Sequence, residues 1–441
     1  MRIGVIGGGL MGLVLADRLA EAGNQVTVFE RAPQVGGLTT WHDFGQFVWD
    51  RFYHVILPTD SALLGLMKRL GLNDDLRWAV TSTGYYVDTS FYPLSNNTDF
   101  LKFPPLGLWS KFRLAATVLY CSRINDWRRL EKITVEEFLR KTSGDATFEQ
   151  FWKPLLLAKL GEQYKRVSAV FIWSYIKRMF SARDTAASKE HLGYVSGGYR
   201  VVFGRILQRL AAAGGTVRTG VEVSKVEPNV GGGIRVGLGE ETHEFDKVIF
   251  TGPVNAMRQV VAGSLLEVPS TGTDVEYLGV VCMVLVTTKP VMPYYILNIA
   301  DEAIPFTGII GMSNLVATSE AAGLHFAYLP KYVLSEDPFL RKPDDEIKAL
   351  FLGGIHRMFP GFDDASIVSV HINRAVKVQP LQVLNYSRLV QQPKTRHNDF
   401  FVVNTAQFVS NTLNNNQVVE SANAFLTQFG SEFGLAASGA N

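Results

Sequence analysis

The chain has 441 residues, too many for one small core, so two domains or one large α/β body with a second layer are expected. Hydrophobic residues make up 47%, and 43 basic against 41 acidic side chains leave a formal net charge of +2, which gives no bulk support for nucleic-acid binding. The two cysteines, Cys121 and Cys282, lie far apart in apolar surroundings, which favours buried thiols over a disulfide or metal pair and a reducing, cytoplasmic setting.

No secretory leader opens the sequence, and no run approaches the ~20 apolar residues that span a bilayer. The expectation is a soluble protein, or one that at most lies on a membrane. Residues 2–6 read as a short buried strand, 10–22 as a helix ended by Gly23-Asn24, and 25–29 as a second strand. Between strand and helix lies GGGLMG, with Gly7, Gly9 and Gly12 in G-x-G-x-x-G register. Gly7 permits the tight turn, Gly9 lets backbone approach a pyrophosphate, and Gly12 lets helix and strand pack closely. The helix N-terminus offers free N–H groups to phosphate. Glu30 follows Gly12 by eighteen residues, where a carboxylate can take ribose hydroxyls. To this point NAD and FAD fit equally.

The next stretch, RAPQVGGLTT, brings Arg31 and a second glycine pair, Gly36-Gly37, which a plain NAD domain does not need. Here the sequence resembles the FAD-binding signature of the amine oxidase, protoporphyrinogen oxidase and phytoene desaturase superfamily, in which the acid is followed by a basic residue and then Gly-Gly. The resemblance implies non-covalent FAD, with Gly36-Gly37 beneath the pyrophosphate, Arg31 assisting it, and Leu38 with Thr39 or Thr40 facing the cofactor. WHDFGQFVWDRFYHVI (41–56) follows as a strand-like aromatic stretch with Asp50, Tyr53 and His54. In the resembling proteins this segment passes near the flavin ring, and UDP-galactopyranose mutases carry a histidine there. His54 is thus a candidate site histidine, set against an ordinary structural one.

Residues 61–72 form an amphipathic helix. The aromatic-rich stretches 84–92 and 100–120 carry Lys102, Lys111 and Arg113. They read either as helices walling an apolar cavity, the favoured reading, or as a surface helix making weak peripheral membrane contact. FWKPLLLAKLGEQYKRVSA (151–169) resembles a block of bacterial protoporphyrinogen-oxidase-like and desaturase-like proteins. Its Lys153 and Lys159 read as salt-bridged helix lysines in preference to substrate contacts. Next come a glycine loop at Gly197-Gly198, a helix over 199–213, and a strand of alternating valines over 217–226. The resemblance returns this strand to the FAD sheet and pairs the Val223 backbone with adenine. Residues 231–239 form a hairpin of a small adjacent sheet. FDKVIFTGPVNAM (245–257) resembles a strand-plus-turn block that places Thr251, Gly252 and Pro253 near the cofactor.

Long strands over 275–330, including YLGVVCMVLV as a buried one, suggest an antiparallel floor to a substrate domain; 344–359 is a helix, and 372–380 leads back to the cofactor domain. Lys377 matches the lysine that several amine oxidases use to hold a water beside flavin N5. In the last block the strand at 400 and the helix containing Val418 are present, the helix N-terminus being directed at the flavin by resemblance. The family's Gly-Asp is replaced by Asn404-Thr405, which leaves a hydrogen-bonding partner without the charge, and no cysteine is present for a covalent flavin.

The expected fold is α/β: a discontinuous Rossmann-like FAD-binding domain of glutathione-reductase type (1–85, 193–265, 372–441) and a mixed α+β substrate domain (86–192, 266–371). No metal-spaced cluster, paired carboxylates or GxSxG elbow stands out. The function expected is an oxidase- or desaturase-type oxidoreductase passing hydride from a small apolar or amphipathic substrate to flavin N5, with O2 as a candidate acceptor. A mutase-like enzyme using reduced FAD without net redox, and a non-catalytic nucleotide-binding protein, stand as alternatives.

Overall fold

The computed structural model describes residues 1–181, 190–267 and 274–435. A parallel five-stranded sheet carries, in spatial order, Phe400–Val402, Lys247–Phe250, Arg2–Ile6, Gln25–Glu30 and Thr216–Thr219. Alternate side chains take opposite faces. Ile3, Val5, Val26, Val28, Ile249 and Phe401 pack under the helices Leu10–Glu21, Tyr199–Ala212 and Asn415–Phe429. Ile6, Phe29, Val248, Phe250, Phe400 and Val402 pack on the other side against a three-stranded antiparallel sheet, Lys225–Pro228, Ile234–Leu238 and Glu241–Phe245. With both faces covered, these strands read as near-continuous apolar runs. The expected single strand over 217–226 divides. Gly220, at φ +69°, breaks it, and the two halves join different sheets.

A second, seven-stranded sheet runs in the order Ile367–Pro380, Tyr277–Thr287, His325–Leu334, Gly308–Gly311, Ile296–Ile299, Thr83–Val87, Ser90–Pro93. Its neighbours are antiparallel apart from Ile296–Ile299 beside Thr83–Val87. Tyr277–Thr287 is buried along its whole length, as its unbroken apolar run foretells. Val281, Met283 and Leu285 face the helix Asp344–Met358, whereas Val280, Cys282 and Val284 face Trp49, Tyr194 and Tyr328. Residues 83–87 and 367–380 therefore lie in this sheet, although the sequence placed all or most of each in the cofactor domain.

Helices between Asn97 and Ser181 form a third layer around Phe103, Leu114, Phe148, Trp152 and Trp173. Both cysteines are free and buried. Among the described residues no helix is long and apolar enough to cross a membrane.

Candidate cofactor cleft and active-site chamber

The cleft begins where the first strand ends. Gly7 turns at φ +116°, and its N–H donates to the Phe29 carbonyl at 2.9 Å. A Cβ at Gly12 would lie 2.0 Å from the Gly7 carbonyl oxygen, so helix and turn meet there only as glycine. The Glu30 carboxylate accepts from the N–H groups of Gly8 and Ala32, each at 2.8 Å, and is thereby held at the lip of the turn. The second glycine pair comes back onto the first. Gly36 N–H donates to the Gly8 carbonyl at 2.9 Å, and a Cβ at Gly37 would stand 3.3 Å from Gly9 Cα. Two glycine backbones thus face each other without side chains between them, and Leu38 begins the short 3-10 turn Gly37–Thr39 with Gly37.

Other expected contacts are distributed differently. Thr251 props the turn from beneath, its hydroxyl donating to the Ile6 and Gly7 carbonyls at 3.1 and 3.2 Å. Asn404 is buried, and its carboxamide is committed to the protein: Nδ2 donates to the Gly252 carbonyl at 3.0 Å and Oδ1 accepts from Ala406 N–H at 3.1 Å. It ties two loops together, and brings no charge in place of the family's aspartate. Val418 is corrected too. Its N–H donates to the Asn414 carbonyl within the helix, so the unpaired first-turn N–H groups belong to Asn415 and Asn416. Arg31 is exposed and pairs with Glu222 at 3.5 Å, beside Val223. Neither backbone group of Val223 is hydrogen-bonded among the described residues, while its neighbour Val221 donates to the Glu30 carbonyl.

From the glycine pair a line of contacts leads inward. Thr39 donates to Asn415 Oδ1 at 2.9 Å. Asn415 Nδ2 and the neighbouring Tyr199 hydroxyl are both buried and interact with each other, and neither has a further hydrogen-bond partner among the described residues. The Tyr199 ring meets His54 edge-on at 5.5 Å. His54 sits in an irregular segment, not a strand. Its Nδ1 lies 2.9 Å from the Phe52 carbonyl, which can only accept, so Nδ1 carries the proton and Nε2 presents a lone pair. Burial pushes the imidazole down to about 4, which keeps it neutral. Next in sequence, the Tyr53 hydroxyl shares a hydrogen bond with Tyr332 at 2.6 Å, and burial raises both phenols.

Lys159 completes the chamber. Its Nζ lies 3.1 Å from the centroid of the Tyr332 ring, and no carboxylate pairs with it among the described residues. Burial alone pushes the ammonium down to about 7. Lys153 is the salt-bridged helix lysine, 2.7 Å from Glu149; Lys159 is not. The repeat WxPLLxxK was the only sequence signal for it. Lys377, the lysine expected here, lies where Ile367–Pro380 shifts register against Tyr277–Thr287, and no hydrogen bond, ion pair or ring contact joins it to His54 or the tyrosines among the described residues. Behind the chamber, buried Asp50 accepts from Tyr199 N–H at 2.8 Å, and burial raises its carboxyl to about 7.

A parallel sheet with a double glycine cradle, an acid at the second strand end and, inward of them, a buried cluster of His54, Tyr53, Tyr332 and Lys159 define a dinucleotide-binding flavoprotein class. Residues 10–387 match the family described as Flavin containing amine oxidoreductase, and the chain belongs to it; the family makes it an oxidoreductase with FAD as cofactor. A probable zeta-carotene desaturase of Synechococcus elongatus is 24% identical over 271 residues, 56% of this chain and 56% of that protein. The 15-cis-phytoene desaturase of the same organism is 34% identical over 79 residues, only 17% of its length. The chain thus matches about half or less of these curated relatives. Across nearly full lengths the fold is that of a putative protoporphyrinogen oxidase from an Exiguobacterium species (TM-score 0.75, 16% identity, 98% of this chain and 99% of that one). Reduced UDP-galactopyranose mutase shares it as well (TM-score 0.69, 15% identity, 99% and 96%).

The residues present fit FAD. A Cβ at Gly9 would meet nothing closer than 4.0 Å, so that face is open to a pyrophosphate; among the described residues the Val223 backbone is unpaired, and the buried pair Asn415 Nδ2 and Tyr199 Oη has no further partner along the cleft.

Proposed function

We propose that the chain oxidises a neutral, hydrophobic or amphipathic small molecule, and that the chamber of His54, Tyr53, Tyr332 and Lys159 is where the substrate reacts. FAD, held without a covalent link, supplies the hydride-accepting chemistry when bound. Gly9, Gly36 and Gly37 would take its pyrophosphate, Glu30 its ribose, Val223 its adenine, and the helix start at Asn415–Asn416 its far end.

The observation that carries this reading is Lys159. A lysine pushed down to about 7 is free amine in roughly half of the molecules in neutral solution. That amine can take the proton that a substrate's nitrogen or carbon loses as hydride leaves the adjacent carbon. Tyr53 and Tyr332 stay protonated and offer an aromatic, uncharged wall, and His54 Nε2 can accept a hydrogen bond from a substrate without becoming charged. O2 is the acceptor we assign for reoxidation. The mutase reading would need cations for a diphosphate; of its two candidates Arg374 is tied to Asp344 and to the Lys342 carbonyl, which leaves the exposed Arg388.

Rapid-mixing reduction of the purified holoprotein tests the proposal. Neutral apolar C–H or amine donors should bleach the flavin absorbance and O2 restore it, whereas nucleotide sugars should do neither. His54→Ala and Lys159→Met should keep FAD and lower the reduction rate by about 10²-fold, the usual weight of a positioned acid–base group. Parental rates in both variants would remove the chamber from the reaction.

A further inference from the structure

We infer that the outward face of the helix Leu108–Arg123 docks on the surface of an anionic lipid bilayer. The sequence favoured a cavity wall for this stretch, and half of the helix does serve the interior: Leu114, Thr117 and Cys121 are buried, and Trp173 Nε1 donates to the Cys121 carbonyl at 3.0 Å. The opposite face is bare. Leu108 is 80% exposed, Trp109 69% and Phe112 62%, and Leu119 and Tyr120 continue the stripe two turns on. At 3.6 residues per turn these positions, with Ala115 and Ala116, fall on one arc that Arg123 alone charges, at its far end. Leu101, also exposed, is held beside them because the inward-turned Lys111 ammonium donates to its carbonyl at 2.6 Å. The Trp109 and Phe112 rings stack at 5.4 Å, presenting one flat apolar surface to water.

The charge around this face selects the occupant. Residues 100–132 contain seven basic and two acidic side chains, a net +5 in a chain whose total is +2, so the rest of the protein is acidic on balance. Lys102 precedes the stripe, and Arg123, Arg128, Arg129 and Lys132 follow it, all exposed. Among the described residues Asp126 pairs with Arg128, while Lys102, Arg123, Arg129 and Lys132 make no salt bridge. A bare apolar stripe between basic ends fits acyl chains below a layer of anionic headgroups. A protein interface would not require the positive charge at both ends.

Co-sedimentation of the full-length holoprotein with vesicles of phosphatidylcholine, alone or mixed with phosphatidylglycerol, tests this. Binding should be confined to the anionic vesicles and weaken as salt rises. Trp109→Glu/Phe112→Glu should cut binding at least about tenfold with circular dichroism and flavin content unchanged, since both side chains are exposed. Lys102→Gln/Arg128→Gln/Arg129→Gln should lower it about a hundredfold and erase the preference for anionic lipid. Absence of vesicle binding, or binding untouched by either variant, would overturn the inference. So would a lipid-free dimer that the Trp109→Glu/Phe112→Glu change splits, because a second copy would then own the face.

Discussion

Lys159 is where the fold changes a residue's chemistry most. An unfolded lysine titrates near ~10.4, and the buried one near 7. Between those values the unfolded chain holds more protons than the folded one, so stability rises with pH through that window. Below pH 7 the folded protein buries a full positive charge with only a tyrosine ring against it. Lys159→Met keeps the length and removes the charge. It should raise the melting temperature, most at about pH 6 and scarcely at about pH 10, in thermal melts of parent and variant. A gap that does not change with pH would mean that the ammonium is solvated. His54 acts in a separate window, between about 4 when folded and about 6.5 when unfolded, and adds little above pH 7.

Elements were legible where spacing reports burial. The helix Leu10–Glu21 and the buried strand Tyr277–Thr287 lie within a residue or two of their expected places, and Asn415–Phe429 contains the expected helix with Val418 and runs beyond it. Periodicity says which side chains are inside, not which strand supplies the hydrogen bonds, so the valine alternation ran on through Gly220 while the pairing changed sheets. Nor does it show ties between helices. Asp17, in the middle of the first helix, accepts from Arg69 at 2.7 Å and from Arg209 at 3.1 Å, and so joins Leu10–Glu21 to Ser61–Arg69 and Tyr199–Ala212. Its carboxylate is 4% exposed, whereas the two guanidinium groups keep some contact with water. Asp17→Ala removes the buried acceptor and leaves both arginines with the half-exposed Glu21 alone, 2.7 and 3.0 Å away, so it should cost about 1–3 kcal/mol in urea unfolding, under the value for a fully buried pair. A loss under about 0.5 kcal/mol would class the triad with ordinary surface pairs.

At the scale of the molecule the two ends of the cleft were unequally legible. The glycine turn and Glu30 are local in sequence and were readable from spacing, and Gly36-Gly37 was placed by the family resemblance. The chamber joins residues 53–54, 159, 199, 332 and 415, which only tertiary packing brings together, so no spacing announces it. The same dispersion makes the cofactor a cross-link: a ligand along the cleft would touch the first βαβ unit, the 220–224 loop and the helix beginning at Asn415. A ligand that binds only the folded state stabilises it by mass action, about 2.7 kcal/mol at a hundredfold excess over its Kd. The melting temperature of FAD-depleted protein should therefore climb with added FAD and not with NAD. Glu30→Ala separates the two roles of that carboxylate. Loss of its bonds to Gly8 and Ala32 should lower the melting temperature of the apoprotein, and loss of the ribose contact should flatten the climb with FAD. An unchanged climb on a lowered baseline would make Glu30 a brace of the turn alone.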